Sequence, residues 1–467
     1  MRYIKNNRQL SFCGGAASAL LAAALFSADA YAAGFAVKQQ SASSMGTAFA
    51  ADGVGKNDIS TIFSNPAIMS FFEGTQATAS ATFTFPVLDF KNGTSSTAAG
   101  TPYANQSALR TEVSDVMDNK VMPALYVSTA VSENLRFGLS LNSPWASSTD
   151  YPSNWVGRYY ATETSLTAIN LGLLTSYRLG DKVAIGGGLQ LQYAEGVLAQ
   201  AVDLGSVLYM RQTQTPGATP DPSLVGARDA EAEFTGKNTA PGLVLGFTYS
   251  PIEELDIGFS YRSDIKHKIE GDMKFAADTP AAQAVLQTLA TASPRFKSAS
   301  ASIDLMTPSI YVLGISYHDP RNFNLYFNTT LTTWSTMEKL TIEYGEDQRT
   351  TTPLNWKDSM YAALGGEYIL GSNHILRAGF ATEEEKIPAE YVSPRSPGSN
   401  RTVYAIGYGY RSADRFFVDL GVNQYMYETA KLNLKASTHE DNRARGNVSG
   451  EYERSITLVM LGVGRQW

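Results

Sequence analysis

Residues 75–87 read TQATASATFTFPV, and the order of this stretch decides the fold. Ala77, Ala79, Ala81, Phe83, Phe85 and Val87 alternate with Gln76, Thr78, Ser80, Thr82 and Thr84. A period of two belongs to an extended strand, whose successive side chains point to opposite faces. One face therefore meets an apolar medium and the other a more polar one. The pattern returns in Leu135, Phe137, Leu139 and Leu141, in Phe323, Leu325 and Phe327, and in Phe416, Val418, Leu420 and Val422. Fourteen such stretches run at roughly 75–87, 120–131, 134–147, 163–179, 182–201, 238–250, 255–270, 301–317, 322–340, 357–370, 373–386, 400–411, 415–432 and 452–467.

The connections are as informative as the strands. Short ones (Ser132-Glu133, Gly180-Asp181, 251–254, 318–321, Gly371-Ser372, 412–414) alternate with long ones (88–119, 148–162, 202–237, 271–300, 341–356, 387–399, 433–451). An even strand number with tight turns at one end and long loops at the other is the arrangement of an outer-membrane barrel. A soluble β-sandwich gives no reason for a long loop at every second connection. Several stretches also exceed the ~5–6 residues usual in soluble sheets. The expected fold is all-β, a transmembrane antiparallel β-barrel of 14 strands over 75–467. Its last strand ends on Trp467, with Val459, Leu461 and Val463 on one face, resembling the signal read by outer-membrane assembly machinery. Arg465 interrupts that face where a long cation can reach the interface. Among the loops, Ala281 to Ala292 (AAQAVLQTLATA) has helix-forming composition.

Composition agrees and excludes the alternatives. The 467 residues include 39 Gly, 25 Tyr and 21 Phe but only 17% charged residues, a β-rich balance. One cysteine, Cys13, excludes a disulfide framework or a Cys-based metal site, and four scattered histidines give no metal centre. No cofactor is expected. A net charge of −7 argues against nucleic acid as a partner. A mean hydropathy of −0.16, with no apolar run near ~18 residues past the first thirty, excludes a helical bundle. Residues 1–32 form a signal peptide: Arg2, Lys5 and Arg8, an apolar stretch from Ala16 to Ala28, then Ala30-Tyr31-Ala32 as the cleavage site. Its removal takes away three bases and one acid, Asp29, and moves the net charge from −7 to −9.

Residues 33–74 show no strand alternation. They are rich in small residues and turns, at Gly34-Phe35, Gly46-Thr47-Ala48 and Asn65-Pro66-Ala67. A barrel this wide does not fill its lumen with its own side chains, so this segment is expected to plug it as a hatch.

The run AGFAVKQQSASSMGTAFAADGVGKNDISTIFSNPAIM (33–69) resembles the N-terminal hatch of the FadL/TodX family of outer-membrane transporters for long-chain fatty acids and other hydrophobic compounds. SPWASSTDYPSNWVGRYYA (143–161), LTTWSTMEKL (331–340) and PLNWKDSMYAALGGEYIL (353–370) are similar to further family segments. One departure is Lys56-Asn57-Asp58-Ile59, where the family commonly has an acidic Asp-Asp-Ala stretch. The resemblance implies a fourteen-stranded monomer in the outer membrane, beside lipopolysaccharide, passing fatty acids or aromatic hydrocarbons passively. It also implies release into the bilayer through a gap at a kinked third strand.

In this chain the gap falls on Asn142, Ser143 and Pro144, since a proline inside an alternating strand removes a ladder donor. The competing reading is that the strand simply stops at Leu141. The resemblance places Phe35 near an internal pocket and Asn65, Pro66 and Ala67 in the hatch turn, where a proline fixes one backbone course. Trp145, Trp155, Tyr159 and Tyr160 are candidates for an outer apolar groove, with an interfacial aromatic girdle as the alternative.

A buried fatty-acid carboxylate needs a basic partner, yet no base lies between Lys182 and Arg211. Arg158, Lys339 and Arg377 are the bases elsewhere whose direction the sequence leaves open. That absence leans toward an uncharged ligand. Two rivals are a general porin, disfavoured by the plug, and a lipase-like barrel enzyme, for which no Gly-x-Ser-x-Gly or His-Glu-x-x-His occurs. An adhesin would explain the long loops but not the hatch.

Overall fold

A strand in hydrocarbon must pair its backbone on both edges, and here the first strand closes the sheet against the last. The computed structural model describes residues 34–384, 387 and 390–467, so the expected signal peptide lies outside the described residues. Thr75–Ser96 (β1) runs antiparallel to Lys120–Ala130 (β2) on one side and to Asn447–Gln466 (β14) on the other. Between them come Leu135–Asp150 (β3), Glu163–Leu179 (β4), Val183–Asp203 (β5) and Asp229–Ile252 (β6). Four strands follow in two parts each: Leu255–Arg262 with Ile265–Ala276 (β7), Ala299–Thr307 with Ile310–Asp319 (β8), Phe323–Thr332 with Lys339–Tyr344 (β9), and Gln348–Pro353 with Ser359–Leu370 (β10). His374–Glu384 (β11), Arg401–Arg411 (β12) and Phe416–Tyr427 with Ala430–Leu434 (β13) complete a closed barrel of 14 antiparallel strands.

Several segments expected as loops are strand. β1 continues to Ser96, β6 starts at Asp229, β14 starts at Asn447, and 341–356 is largely the hairpin of β9 and β10. The reason is visible along β7. Within the membrane Phe259 and Tyr261 point outward, while Asp256, Ser260 and Arg262 are buried inside. Past the interruption at Ser263-Asp264 the phase slips by one residue. Ile265, Ile269 and Met273 are now the inward, buried set, and Lys266, Lys268 and Glu270 face out. Above the membrane the outside is water, so the apolar face belongs inside. A search for lipid-facing alternation stops where the strand leaves the bilayer. The helix expected at 281–292 is present as Pro280–Ala292.

Residues 34–72 lie inside the barrel, most of them buried. They hold a short helix, Ala42–Met45, and two 3₁₀ turns, Ile59–Phe63 and Pro66–Phe71. The hatch approaches the wall backbone to backbone, which inward-facing glycines permit. A Cβ at Gly379 on β11 would fall 2.1 Å from the Thr47 carbonyl, and one at Gly407 on β12 would fall 2.7 Å from the Gly46 Cα. Gly258 and Gly314 take the backbone of Asp52 and Gly53 in the same way, and Gly186 and Gly246 that of Pro66 and Ala67. Lower down the contact is charged. Lys56 pairs with Asp256 at 2.8 Å, and Asn57 donates to Glu367, which is held by Arg377 at 3.1 Å. Arg377 also binds Asp419 at 2.7 Å.

Gly379→Leu should overpack this seat at a cost of about 1–3 kcal/mol. The expected outcome is a lower midpoint of the heat-induced gel-mobility shift, with raised ion conductance in planar bilayers. A barrel unchanged in both would show that the hatch is not seated on β11.

Candidate functional site

The extracellular half of the barrel is lined by the inward apolar sets of β4 to β10, and these enclose a cavity of about 90 Å³. Leu166, Leu198, Phe234, Ile269, Ile303 and Leu354 form its walls. Phe35 closes it from the hatch side, inside a box of three tryptophans. Its ring centroid is 4.8 Å from Trp334, 5.7 Å from Trp145 and 6.1 Å from Trp356. Gly34 makes this approach with φ +58°, and a Cβ there would sit 2.6 Å from the Trp334 ring. Trp334 and Trp356 carried no role in the sequence reading. Both lie in the breaks between the two parts of β9 and β10, where alternation stops, and that break is the signal that could have found them.

The same hatch residues meet the wall at a discontinuity. β3 pairs with β2 only from Arg136 to Leu141, and beyond that β2 pairs with β1 alone. The register of β3 against β4 slips between Asn142 and Trp145. On the vacated edge the Val37 amide donates to the Pro144 carbonyl (2.9 Å), and the Ala146 amide to the Phe35 carbonyl (2.9 Å). The Gln40 side chain donates to the Ser143 carbonyl, also at 2.9 Å. Asn142, Ser143 and Pro144 therefore mark a real break in β2–β3 pairing, and the strand runs on past Leu141 to Asp150.

A plugged, closed barrel with an apolar chamber and a wall strand that leaves its neighbour is a particular architecture, and sequence comparison agrees with it. A family described as outer membrane protein transport protein (OMPP1/FadL/TodX) matches residues 23–466. The chain belongs to this family. It is an outer-membrane protein of the FadL/TodX transporters. The long-chain fatty acid transport protein of Escherichia coli is 23% identical over 412 residues, covering 87% of this chain and 90% of the relative. A Pseudomonas aeruginosa FadL homologue of known structure has a TM-score of 0.83 at 22% identity, covering 93% of this chain and all of the other. The Pseudomonas putida toluene transporter TodX has a TM-score of 0.64 at 14% identity, with coverage of 93% and 100%. These structural likenesses carry the fold.

Within this FadL/TodX barrel the remaining expected residues are dispersed. Asn65, Pro66 and Ala67 lie away from the Phe35 box. Asn65 caps the 3₁₀ turn through the Ala67 amide (3.0 Å) and donates to the Gly53 and Phe247 carbonyls (2.8 and 3.1 Å), which pins the hatch to β6. Of the proposed outer-groove aromatics, Trp145 belongs to the Phe35 box. Trp155 is 0% exposed, stacked on Tyr151 at 4.1 Å and donating to the Ala161 carbonyl. Tyr160 is buried and donates to the Gly446 carbonyl. These two hold the loop crown together and form no open groove. Tyr159 lines a second, outer cavity of about 330 Å³, with Val202, Met210 and Phe275.

The bases sort cleanly. Arg158 is committed to Asp229 at 2.7 Å, Lys339 faces outward, and Arg377 sits in the charged layer beneath the hatch. Arg395, which sequence reasoning missed, lies in the wall of both cavities. Its guanidinium donates to the carbonyls of Glu163 (2.7 Å) and Ala199 (3.0 Å), to the Thr164 hydroxyl and to Gln200. Among the described residues it has no carboxylate partner. Burial pushes the guanidinium below its ordinary value, and the nearby Arg445 adds to the effect. A guanidinium stays protonated even so, and the site keeps a cation without its anion.

Trp155→Ala should remove the centre of the crown packing, at about 3–5 kcal/mol for a buried tryptophan. Limited proteolysis should then cut the loop 97–119 far faster than in the parent while the barrel keeps its heat-modifiable shift. Equal cutting rates would mean the crown is held elsewhere.

Proposed function

We propose that this chain takes up hydrophobic molecules with an acidic head, long-chain fatty acids foremost, and releases them sideways into the outer membrane at the β3 break. One observation carries the reading: Arg395, a cation without a carboxylate, stands between an outer and an inner apolar cavity. The Escherichia coli relative, a long-chain fatty acid transport protein, fits this cargo.

An apolar solute gains about 25 cal/mol for each Å² it withdraws from water, and the outer cavity offers that surface first. Its carboxylate meets Arg395 in a charge-assisted pair while the tail reaches the inner cavity. Phe35 stands in the wall of that inner cavity, in the path of a long acyl chain. Arrival of the tail displaces Phe35. The Phe35 carbonyl and the Val37 amide are the groups bonded to β3 at Ala146 and Pro144, so the same movement loosens the strand edge beside the bilayer. Downward passage is unfavourable because the hatch is seated on the glycine collar and the layer beneath it is charged.

The test is uptake of a labelled long-chain fatty acid and of a labelled alkylbenzene by an outer-membrane bacterium lacking its own hydrophobic transporter. The fatty acid should enter. Arg395→Gln should cut that uptake about tenfold, the worth of one charge-assisted bond, and spare the alkylbenzene. Alkylbenzene uptake alone would replace the acidic cargo with a hydrocarbon, and uptake of neither by a folded barrel would overturn transport.

Coupling between pocket and gap is tested separately. Ala146→Pro removes the donor to the Phe35 carbonyl without touching the pocket wall, and Phe35→Ala empties the box. Both should shorten ligand retention in the purified barrel, and unchanged retention in both would remove the hatch from gating.

A further inference from the structure

We infer, on the footing of that acidic cargo, that its chain also carries a hydroxyl, and that the indole N–H groups of Trp334 and Trp356 recognise it. Both tryptophans are buried, at 2% and 5% exposure, and neither Nε1 has a hydrogen-bond partner among the described residues. A buried indole N–H ordinarily finds an acceptor. Trp155 in the crown shows the usual outcome, donating to the Ala161 carbonyl at 2.8 Å. The buried hydroxyls of Thr78, Ser80 and Thr82 also lack partners, but a hydroxyl rotates and can both donate and accept. An indole only donates, and its N–H is fixed in the plane of the ring.

The two donors belong to one box. The Trp334 and Trp356 centroids are 5.3 Å apart, and Phe35 lies 4.8 and 6.1 Å from them. Trp334 meets Trp356 at 75° and Phe35 at 78°, edge to face. Such packing offers an N–H at best a ring face, which is a weak acceptor beside an oxygen. The hydroxyls that line the chamber are already engaged. Ser396 donates to the Gly34 carbonyl (3.0 Å), Ser147 donates to the Arg395 carbonyl (3.4 Å), and Ser393 accepts from the Arg395 amide (3.2 Å).

Phe35 has no polar side-chain atom to give these donors. A cargo tail that displaces it takes its place against both indoles. A plain acyl chain then leaves the two N–H groups unpaired, whereas a hydroxyl on the chain accepts from them. A site with fixed donors discriminates against the analogue that lacks the acceptor, because the cost of the unpaired group falls on that analogue. Head and chain are read by different residues, the carboxylate by Arg395 and the hydroxyl by the tryptophans, around one chamber.

The experiment measures retention by the purified full chain in detergent, by equilibrium dialysis. The probes are octadecanoic acid, its positional series of monohydroxy derivatives and the matching methyl-branched acids. At least one hydroxy isomer should be retained about tenfold more tightly than octadecanoic acid, despite its greater solubility in water, and its methyl-branched counterpart should not. Trp334→Phe combined with Trp356→Phe keeps two aromatic rings and removes both N–H groups. That variant should lose the preference, retain octadecanoic acid as the parent does and keep the heat-modifiable shift. If the parent prefers no hydroxy isomer, or the double variant keeps the preference, the hydroxyl is overturned and the acidic cargo stands. Equal retention of the methyl-branched acid overturns the hydroxyl too, because the box is then reading shape. Retention of none of these acids by the parent overturns the acidic cargo and the hydroxyl together.

Discussion

A strand edge inside a membrane barrel cannot be left bare, and in this protein the hatch covers the edge that β3 exposes. Backbone groups withdrawn from water must find partners. β3 gives up β2 after Leu141, and its next carbonyls and amides are taken by Phe35, Val37 and Gln40 of the hatch. The residue whose ring fills the apolar chamber is therefore the residue whose carbonyl completes the wall.

That arrangement needs a hatch that does not move as a whole. The glycines at its level let backbone pack on backbone, and the ion pairs of Lys56 and the Arg377 cluster tie its lower face to the wall. The hatch also separates polar from apolar routes. Below the hatch a solute meets Asp256, Glu367, Arg377 and Asp419, and above it the carbon walls of the chamber.

The barrel is also two solvents' worth of one sheet. In the bilayer its strands are apolar outside and polar within, and past the bilayer they are charged outside and apolar within, as β7 shows at Ser263-Asp264. The inversion builds the chamber and turns charged side chains of both signs to the opposite face. Arg395 belongs to neither pattern. It is carried on the loop between β11 and β12, in Ser393-Pro394-Arg395-Ser396-Pro397, and reaches across to carbonyls of β4 and β5.

The local pattern of residues alone determined the barrel, its strand number and the direction of its loops, since a period of two against lipid admits little else. It also marked the hatch, through a stretch without alternation; at Pro144 it left open whether β3 breaks or stops at Leu141, and the family resemblance pointed to the break. It missed the strand extensions because the test for lipid-facing alternation fails where water replaces lipid. Trp334, Trp356 and Arg395 meet Phe35's chamber from three elements far apart in the chain, and no spacing records such a meeting. Trp155 and Tyr160 read as surface aromatics, yet the folded loops bury them. Only the tertiary structure decided which bases are paired with a carboxylate, because a cation is free or committed according to its neighbours in space. Asp229 claims Arg158, Glu367 and Asp419 claim Arg377, and Arg395 is left open.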